Sequence, residues 1–242
     1  MSIEAEIQDL IFFENDAYII ARKPSGLLSE EDPAGNRNLR QILENYLNEK
    51  YPWKKQLICQ LVNRLDKPVG GLLVCAKKPS VLKDLQHQFF IRKVRKYYLA
   101  VVEGKPKLET GSLQHYLAKS PENFKAVAVS PETEGAKIAK LEYTTLASNA
   151  SYSLLQIQLL TGRFHQIRFQ LSQMGNPIWN DEWYGAKREE AGPRIGLYSY
   201  YLAFNETQSG QFREYLCLPP AVIPWTEFQK DIIRHAESIT DI

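Results

Sequence analysis

The sequence of 242 residues predicts an α+β fold, with a mixed, mostly antiparallel central sheet flanked by helices. Short apolar runs of strand length alternate irregularly with segments of helical spacing, and neighbouring strand-like runs lie close enough to form hairpins. The chain shows no internal repeat and no low-complexity tract. Prolines and glycines punctuate residues 104–135, and we interpret this stretch as a loop inserted into a single domain over residues 1–242.

The first half of the chain predicts strands and helices in turn. The segment "IFFENDAYIIARKPSGLL" indicates two short strands around a turn at residues 14–16. "NLRQILENYLNEKY" has apolar residues at helical spacing, and "GLLVCA" is an apolar run of strand length. Ser80 can cap the next helix, and "KYYLAVVEG" then returns as a strand. The buried stripe of that helix would comprise Val81, Leu82, Leu85 and Phe89.

The second half predicts a hairpin followed by two further helices. Residues 141–160 indicate the hairpin, whose second strand alternates polar and apolar side chains. Apolar residues at helical spacing predict a helix over residues 165–174, which the Gly-Asn-Pro sequence at 175–177 ends. "IGLYSYYLAF" is a strand again. "PWTEFQKDIIRHA" closes the chain as a helix, with Pro224 in its first turn. Its buried face would carry Trp225, Phe228 and Ile232.

Composition and charge exclude several classes of protein. A hydrophobic content of 44% and a charged content of 24% are typical of soluble globular proteins. The three cysteines, Cys59, Cys75 and Cys217, are widely spaced and form no C-x-x-C pair, which favours a reducing compartment. The N-terminus lacks the basic and apolar regions of a signal peptide. No apolar run approaches the roughly 18 residues of a membrane span. We therefore expect a cytoplasmic protein with no membrane partner.

A basic cluster lies between residues 77 and 96, although the net charge of the chain is only +2. It has one acid, Asp84, and aromatic neighbours at 89–90 and 97–98. Such a cluster could follow a phosphate backbone and stack bases. The alternative, which composition alone favours, is a solvated helix face with core aromatics. The basic residues are Lys77, Lys78, Lys83, Arg92, Lys93, Arg95 and Lys96.

Familiar catalytic arrangements are missing from the sequence. It contains no G-x-S-x-G elbow, Walker A loop, G-x-G-x-x-G or H-E-x-x-H motif, and its four histidines form no visible metal triad. What remains includes "LLTGRFHQIRFQL" at residues 159–171, where a strand gives way to a helix near His165. Arg163 and Arg168 beside a helix N-terminus could bind a phosphate or the protein's own carboxylate. The alternative is a capped helix with surface charges.

The carboxylate of "NRLDKPVGGLLV" is the other candidate, because Asp66 lies between two apolar runs. Taken alone, an aspartate before Lys-Pro is more typical of a turn. This block, followed by "RKVRKYYLAVVEG" and "TGRFHQIRFQLSQMGNPIWNDEWYG", resembles the signature blocks of the RluA-type RNA pseudouridine synthases. "IFFENDAYIIARKPSGLLS" resembles the opening block of that family. The blocks follow the family order and cover residues 11–220.

The resemblance implies a role for each matching residue. The catalytic aspartate of the R-L-D block falls on Asp66, and the base-stacking tyrosine of the K-x-Y-L-A block falls on Tyr98. The arginine that pairs with the aspartate falls on Arg168, and the one that fills the place of the flipped base falls on Arg64. Lys96 would contribute to RNA binding. The same wall would be shaped by Arg163, His165 and Gln166.

The sequence also departs from the family pattern. Asn63 stands where a histidine is usual, and the Thr-Ser-Gly that usually follows the aspartate is Val-Gly-Gly at 69–71. Gln170 replaces a usual histidine, and the usual Gly-Asp is Asn180-Asp181. These departures affect the support of the site and substrate identity more than the reaction. The S4 RNA-binding domain of many relatives is expected to be absent, because the matching blocks begin by residue 11.

The resemblance implies that the protein isomerises uridine to pseudouridine in structured RNA, either ribosomal or transfer RNA. Asp66 would attack C1′ or abstract the 2′ proton, and the sequence leaves both routes open. We expect no cofactor and no metal, and a monomer. One alternative is a non-catalytic RNA-binding or ribosome-assembly factor on the same fold, although Asp66, Tyr98 and Arg168 are all present. A nucleoside hydrolase would usually need a metal cluster of acids, which the sequence does not show.

Overall fold

The structure is a computed structural model, and it describes residues 3–54 and 57–240. Within these limits the chain forms two compact units. The first comprises residues up to 94 together with 201–217, and the second comprises 95–200 and the residues from 218 onward. The single domain expected from the sequence stays a prediction.

The elements follow the chain in this order. The N-terminal part contains α1 (Ile3–Leu10), β1 (Ile11–Glu14), β2 (Tyr18–Lys23), α2 (Leu39–Lys50), β3 (Gln60–Leu61), β4 (Gly70–Ala76) and α3 (Pro79–Phe90). The middle contains β5 (Arg95–Glu103), β6 (Thr110–Lys119), β7 (Ala126–Ala128), β8 (Lys137–Ser148), β9 (Tyr152–Leu159) and α4 (Gln166–Gln173). The C-terminal part contains β10 (Leu197–Asn205), β11 (Phe212–Leu216) and α5 (Gln229–Thr240). Two 3₁₀ turns, Glu182–Tyr184 and Trp225–Phe228, precede β10 and α5.

The first unit is built on antiparallel pairs. Strand β2 pairs with both β1 and β4, and β4 also pairs with β3. Residues 201–205 of β10 pair with β11. Every residue of β4 is buried, as its continuous apolar run predicts. Helix α3 packs Val81 and Leu85 into this core. The predicted Ser80 cap is wrong: the helix begins at Pro79, whose fixed φ and missing N–H suit a first helical position.

The second unit carries five strands paired in the order β5-β9-β8-β6-β7, all antiparallel. Strands β8 and β9 form the predicted hairpin at residues 141–160. Residues 104–135 are not simply the expected loop, because β6 pairs with β8 over eight residues. Gly111 within β6 is a packing requirement and not a loop signal. A Cβ there would lie 2.7 Å from the Tyr143 ring, too close for any side chain.

The strand pairings described above confirm the predicted α+β class with a mostly antiparallel sheet flanked by helices. Leu28 and Asn38 add an isolated parallel bridge. The predicted C-terminal helix divides into a 3₁₀ turn and α5, and Trp225, Phe228 and Ile232 are buried as expected. Among the described residues, no helix has the length and apolar character needed to cross a membrane.

Candidate active site

Asp66 lies in the loop between β3 and β4 of the first unit, and its side chain is partly buried. The Val69 N–H donates to the Asp66 carbonyl at 3.0 Å, so the Lys-Pro sequence does form a turn. The Ser29 hydroxyl donates to the Leu65 carbonyl at 2.7 Å and accepts from the Leu65 N–H at 3.1 Å. Hydrogen bonds on both sides therefore fix the backbone that carries the carboxylate.

A buried cation lies beside this loop. Lys23, at the end of β2, is fully buried, and its ammonium group donates to three backbone carbonyls. These belong to Pro24 at 3.1 Å, Leu27 at 2.7 Å and Lys67 at 3.2 Å. Burial lowers the pKa of Lys23 to about 7, while the negative charge of Asp66 opposes that shift. Lys23 thus ties the residue after Asp66 to β2 and, when protonated, supplies positive charge next to the carboxylate.

Gly71 lies opposite Lys23 in the pairing of β2 with β4. Its φ of 120° falls in the range that side chains rarely adopt, which requires glycine at this position. Backbone geometry therefore explains why the second glycine after Asp66, Gly71, is a glycine.

Arg64 lies at the surface of the first unit. Its guanidinium group contacts Glu30 at 3.2 Å, and its side chain is 72% exposed. This exposure leaves the side chain accessible, and its role as the substitute for a flipped base stays a prediction.

Tyr98 and Lys96 lie on β5 of the second unit. Tyr98 is buried and stands opposite Ile157 of β9. A Cβ added at Gly162 would lie 3.8 Å from the Lys96 ammonium group, so Lys96 adjoins the turn before α4. Burial and the nearby charge of Arg163 lower the pKa of Lys96 to about 8. Two cations are thus held close together at this turn.

Arg168 forms a two-pronged ion pair with Asp181. Its Nε donates to Asp181 Oδ2 and its Nη2 to Oδ1, both at 2.7 Å. The side chains are 5% and 1% exposed, so the pair is almost completely removed from water. Sequence reasoning noted Asp181 only as part of a departure from the family pattern, and it missed the carboxylate of Asp181 as a member of this site, as it missed Lys23. The predicted pairing of Arg168 with Asp66 stays a prediction.

His165 stands at the N-terminus of α4 with a left-handed φ of 49°. Its Nε2 lies 3.2 Å from Arg168 Nη1, and its Nδ1 lies 2.9 Å from the Tyr184 hydroxyl. Burial and the charge of Arg168 lower the pKa of His165 to about 3. The imidazole is therefore neutral near pH 7 and serves here as a hydrogen-bonding spacer between Arg168 and Tyr184.

Helix α4 is buried all round, so the alternative of a capped helix with surface charges is wrong. All six residues of 166–171 are buried, and the polar ones bond within the protein. Gln166 accepts from the Arg163 N–H at 3.0 Å and from the Thr161 hydroxyl at 2.7 Å. Its amide is thereby committed to the turn before the helix, whereas its contact with RNA stays a prediction.

The basic cluster of residues 77–96 divides into buried and exposed members. Lys77 is buried and donates to the Glu14 carboxylate at 2.6 Å, so its expected place on an RNA-facing surface is wrong. Lys83, Arg92 and Lys93 are exposed in the first unit, and Phe90 beside them is 84% exposed. The exposed residues keep the combination of charge and aromatic ring that single-stranded RNA can contact.

A family model described as RNA pseudouridylate synthase matches residues 17–173. The chain belongs to this family. An uncharacterized RNA pseudouridine synthase of Chloroflexus aurantiacus is 34% identical to it over 82% of this chain and 62% of that protein. The ribosomal large subunit pseudouridine synthase D of Borreliella burgdorferi is 33% identical over 72% of this chain and 54% of that protein. The chain thus spans little more than half the length of these relatives.

The fold is shared with a solved structure. Human RNA pseudouridylate synthase domain containing 4 superposes with a TM-score of 0.74 at 21% identity, covering 96% of this chain and 94% of that one. At this identity the likeness concerns the fold alone, and it agrees with the predicted class. Within the described part of the chain, no group of three or more His, Cys, Asp or Glu side chains is arranged to hold a metal ion.

Proposed function

We propose that this protein converts specific uridines of structured RNA to pseudouridine, with Asp66 as the catalytic carboxylate. The observation that carries the proposal is the family match over residues 17–173, which includes Asp66, Tyr98 and Arg168. The names of the relatives favour ribosomal RNA of the large subunit, with transfer RNA as the second substrate class. We further propose that the enzyme is cytoplasmic and monomeric and that it needs no cofactor.

The reaction is an isomerisation that needs no co-substrate. The C1′–N1 bond breaks, the base turns, C1′ joins C5, and the proton displaced from C5 is released while N1 gains one. Cleavage develops positive charge at the sugar, which a carboxylate can trap at C1′ or relieve by taking the 2′ proton. Both routes need an ionised Asp66. Lys23 beside Asp66 supports that state in its protonated form, because an adjacent cation favours a carboxylate.

The target uridine must leave its stack before Asp66 can act on it. Extrusion costs a few kcal/mol, and stacking on an aromatic ring returns roughly 1–3 kcal/mol per base. We propose that the extruded base stacks on Tyr98. Arg64 then fills the place that this base leaves in the RNA. The exposed position of Arg64 supports this assignment, because its side chain is accessible to RNA.

Tritium release from RNA containing 5-tritiated uridine tests the proposal, because only attack at C5 frees that label. We expect release with the wild-type protein and none with Asp66→Asn. Asp16→Asn is the control, since its carboxylate is exposed and lies 3.3 Å from the ammonium group of the surface residue Lys54. Full release by Asp66→Asn would refute the assignment of the carboxylate. RNA binding without release by the wild-type protein would favour the non-catalytic alternative.

A further inference from the structure

Three aromatic rings of the second unit point outward from separate segments. Phe124 lies in the turn between β6 and β7, Phe164 in the turn before α4, and Trp183 in the 3₁₀ turn after it. Their exposed fractions are 59%, 41% and 52%. Single exposed aromatic residues are common, but three that converge are not explained by folding.

Side-chain contacts join these rings into one surface. The Lys119 ammonium group lies 5.0 Å from the Phe124 ring centroid and 5.1 Å from that of Phe164. Phe164 stacks on His165 with centroids 3.8 Å apart and planes 18° apart, and His165 lies 6.0 Å from Trp183. We call the three rings together with Lys119 the aromatic platform.

The protein holds this platform rigidly from below. The Arg168 guanidinium lies 5.9 Å from the Trp183 ring, so the buried ion pair with Asp181 supports that side. On the other side, Phe124 has a φ of 56°, a left-handed conformation that a bulky residue adopts only with strain. Glycine or asparagine would fit this turn with less strain. The chain therefore presents a phenyl ring where its own stability would be better served by a small residue.

The charge of the platform indicates what it contacts. Lys119 forms no ion pair with any carboxylate of residues 3–54 and 57–240. Exposed rings interleaved with a lysine suit a nucleobase and its adjacent phosphate, because bases stack on aromatic faces and ammonium groups bind phosphate. Glu122 and Glu182 are exposed nearby in the chain. The positive charge beside the rings is therefore local and comes from Lys119.

We propose that the aromatic platform is a second base-stacking site, which takes an unpaired nucleotide flanking the target uridine. This inference rests on the proposed function and specifies its substrate. Tyr98 is buried, whereas the platform is open, so the platform takes a different base from the target. Because bases inside a continuous duplex offer no free faces, the RNA is a loop or bulge at this point.

Abasic scanning of an RNA hairpin with a uridine-containing loop tests the inference. Binding is measured in the Asp66→Asn background, with the base removed at one loop position at a time. For the wild-type platform, we expect one position besides the target uridine itself where the loss of the base weakens binding about 5- to 150-fold. In Phe164→Leu or Phe124→Leu that penalty disappears, while Phe164→Tyr restores it because the ring is retained. Trp53→Leu is the control, since Trp53 is an exposed ring in the first unit.

Several outcomes would overturn the inference. One is an equal affinity for all hairpins that lack a base at a position other than the target uridine, and another is an unchanged profile in every ring variant. Loss of self-association in the ring variants without a change in the profile would identify a second copy of the chain as the occupant instead. The inference and the proposed function fail separately. Tritium release with a flat abasic profile refutes only the platform, whereas a ring-dependent profile without tritium release refutes only the catalysis.

Discussion

Replacement of Asp181 by asparagine removes the charge that faces Arg168 and keeps the volume of the side chain. The two bonds of 2.7 Å and the nearly complete burial mark this as an ion pair in which the geometry offsets the cost of desolvation. The guanidinium group cannot lose its proton, so it cannot escape by becoming neutral. An asparagine offers one acceptor and turns an N–H₂ group toward the other donor. We expect the free energy of unfolding to fall by about 3–5 kcal/mol.

Urea and thermal denaturation measure this loss. For a chain of this size, the expected loss lowers the melting temperature by about 6–20 °C, at roughly 2–4 °C per kcal/mol. Glu182→Gln is the matched control, because Glu182 is the next residue, is about half exposed and lies 3.9 Å from Arg188. An exposed pair of this kind contributes at most about 1 kcal/mol. If the two variants lose the same small amount, the buried pair does not stabilise the second unit as argued.

Two further predictions concern pH and salt. The pKa of Lys23 is about 7 in the folded protein, whereas its ordinary value, which applies to the unfolded chain, is 10.5. Between these pH values the unfolded chain binds more protons than the folded protein. The free energy of unfolding should therefore rise with pH in that window. Urea denaturation from pH 7 to pH 9 should show a smaller rise in the free energy of unfolding for Lys23→Met than for the wild-type protein. An equal rise in both proteins would contradict the prediction. RNA binding should weaken steeply with salt, and Lys93→Gln should reduce the slope of log K against log salt by about 1. Lys77→Gln should leave that slope unchanged because Lys77 is buried, and equal slopes in all three proteins would remove Lys93 from the RNA surface.

The sequence predicts the elements whose pattern depends on local physics. Strand β4 is a continuous apolar run, and the β8–β9 hairpin alternates polar and apolar residues, so both were predictable. Residues 104–135 were misjudged because Gly111 was taken as a loop signal. Its cause is the ring of Tyr143 on the neighbouring strand, a tertiary contact that no local pattern reveals.

The site residues were predicted from the family resemblance. Residues whose role depends on burial in the folded protein were not predicted. Lys23 is fully buried, which is rare for lysine, and its carbonyl partners together with the charge of Asp66 make that burial tolerable. The one available signal was its position at the end of an apolar strand, directly before a proline. Arg168 and Asp181 are 13 residues apart and meet because the chain turns directly after α4, at Gly175 with its φ of 88°. Helical spacing alone could not predict that turn.

Three departures from the family pattern, Asn63, Gln170 and Asn180, are accommodated by the backbone around them. Asn63 Oδ1 accepts the Val74 N–H at 3.0 Å, which fixes the entry to the Asp66 loop without an imidazole. Gln170 donates to the Leu113 carbonyl at 3.1 Å. Asn180 has a φ of 64°, a conformation that glycine adopts freely and that asparagine tolerates better than most residues, which explains why it can replace the usual glycine. Because these side chains bond to backbone groups, the substitutions change how the loops are held.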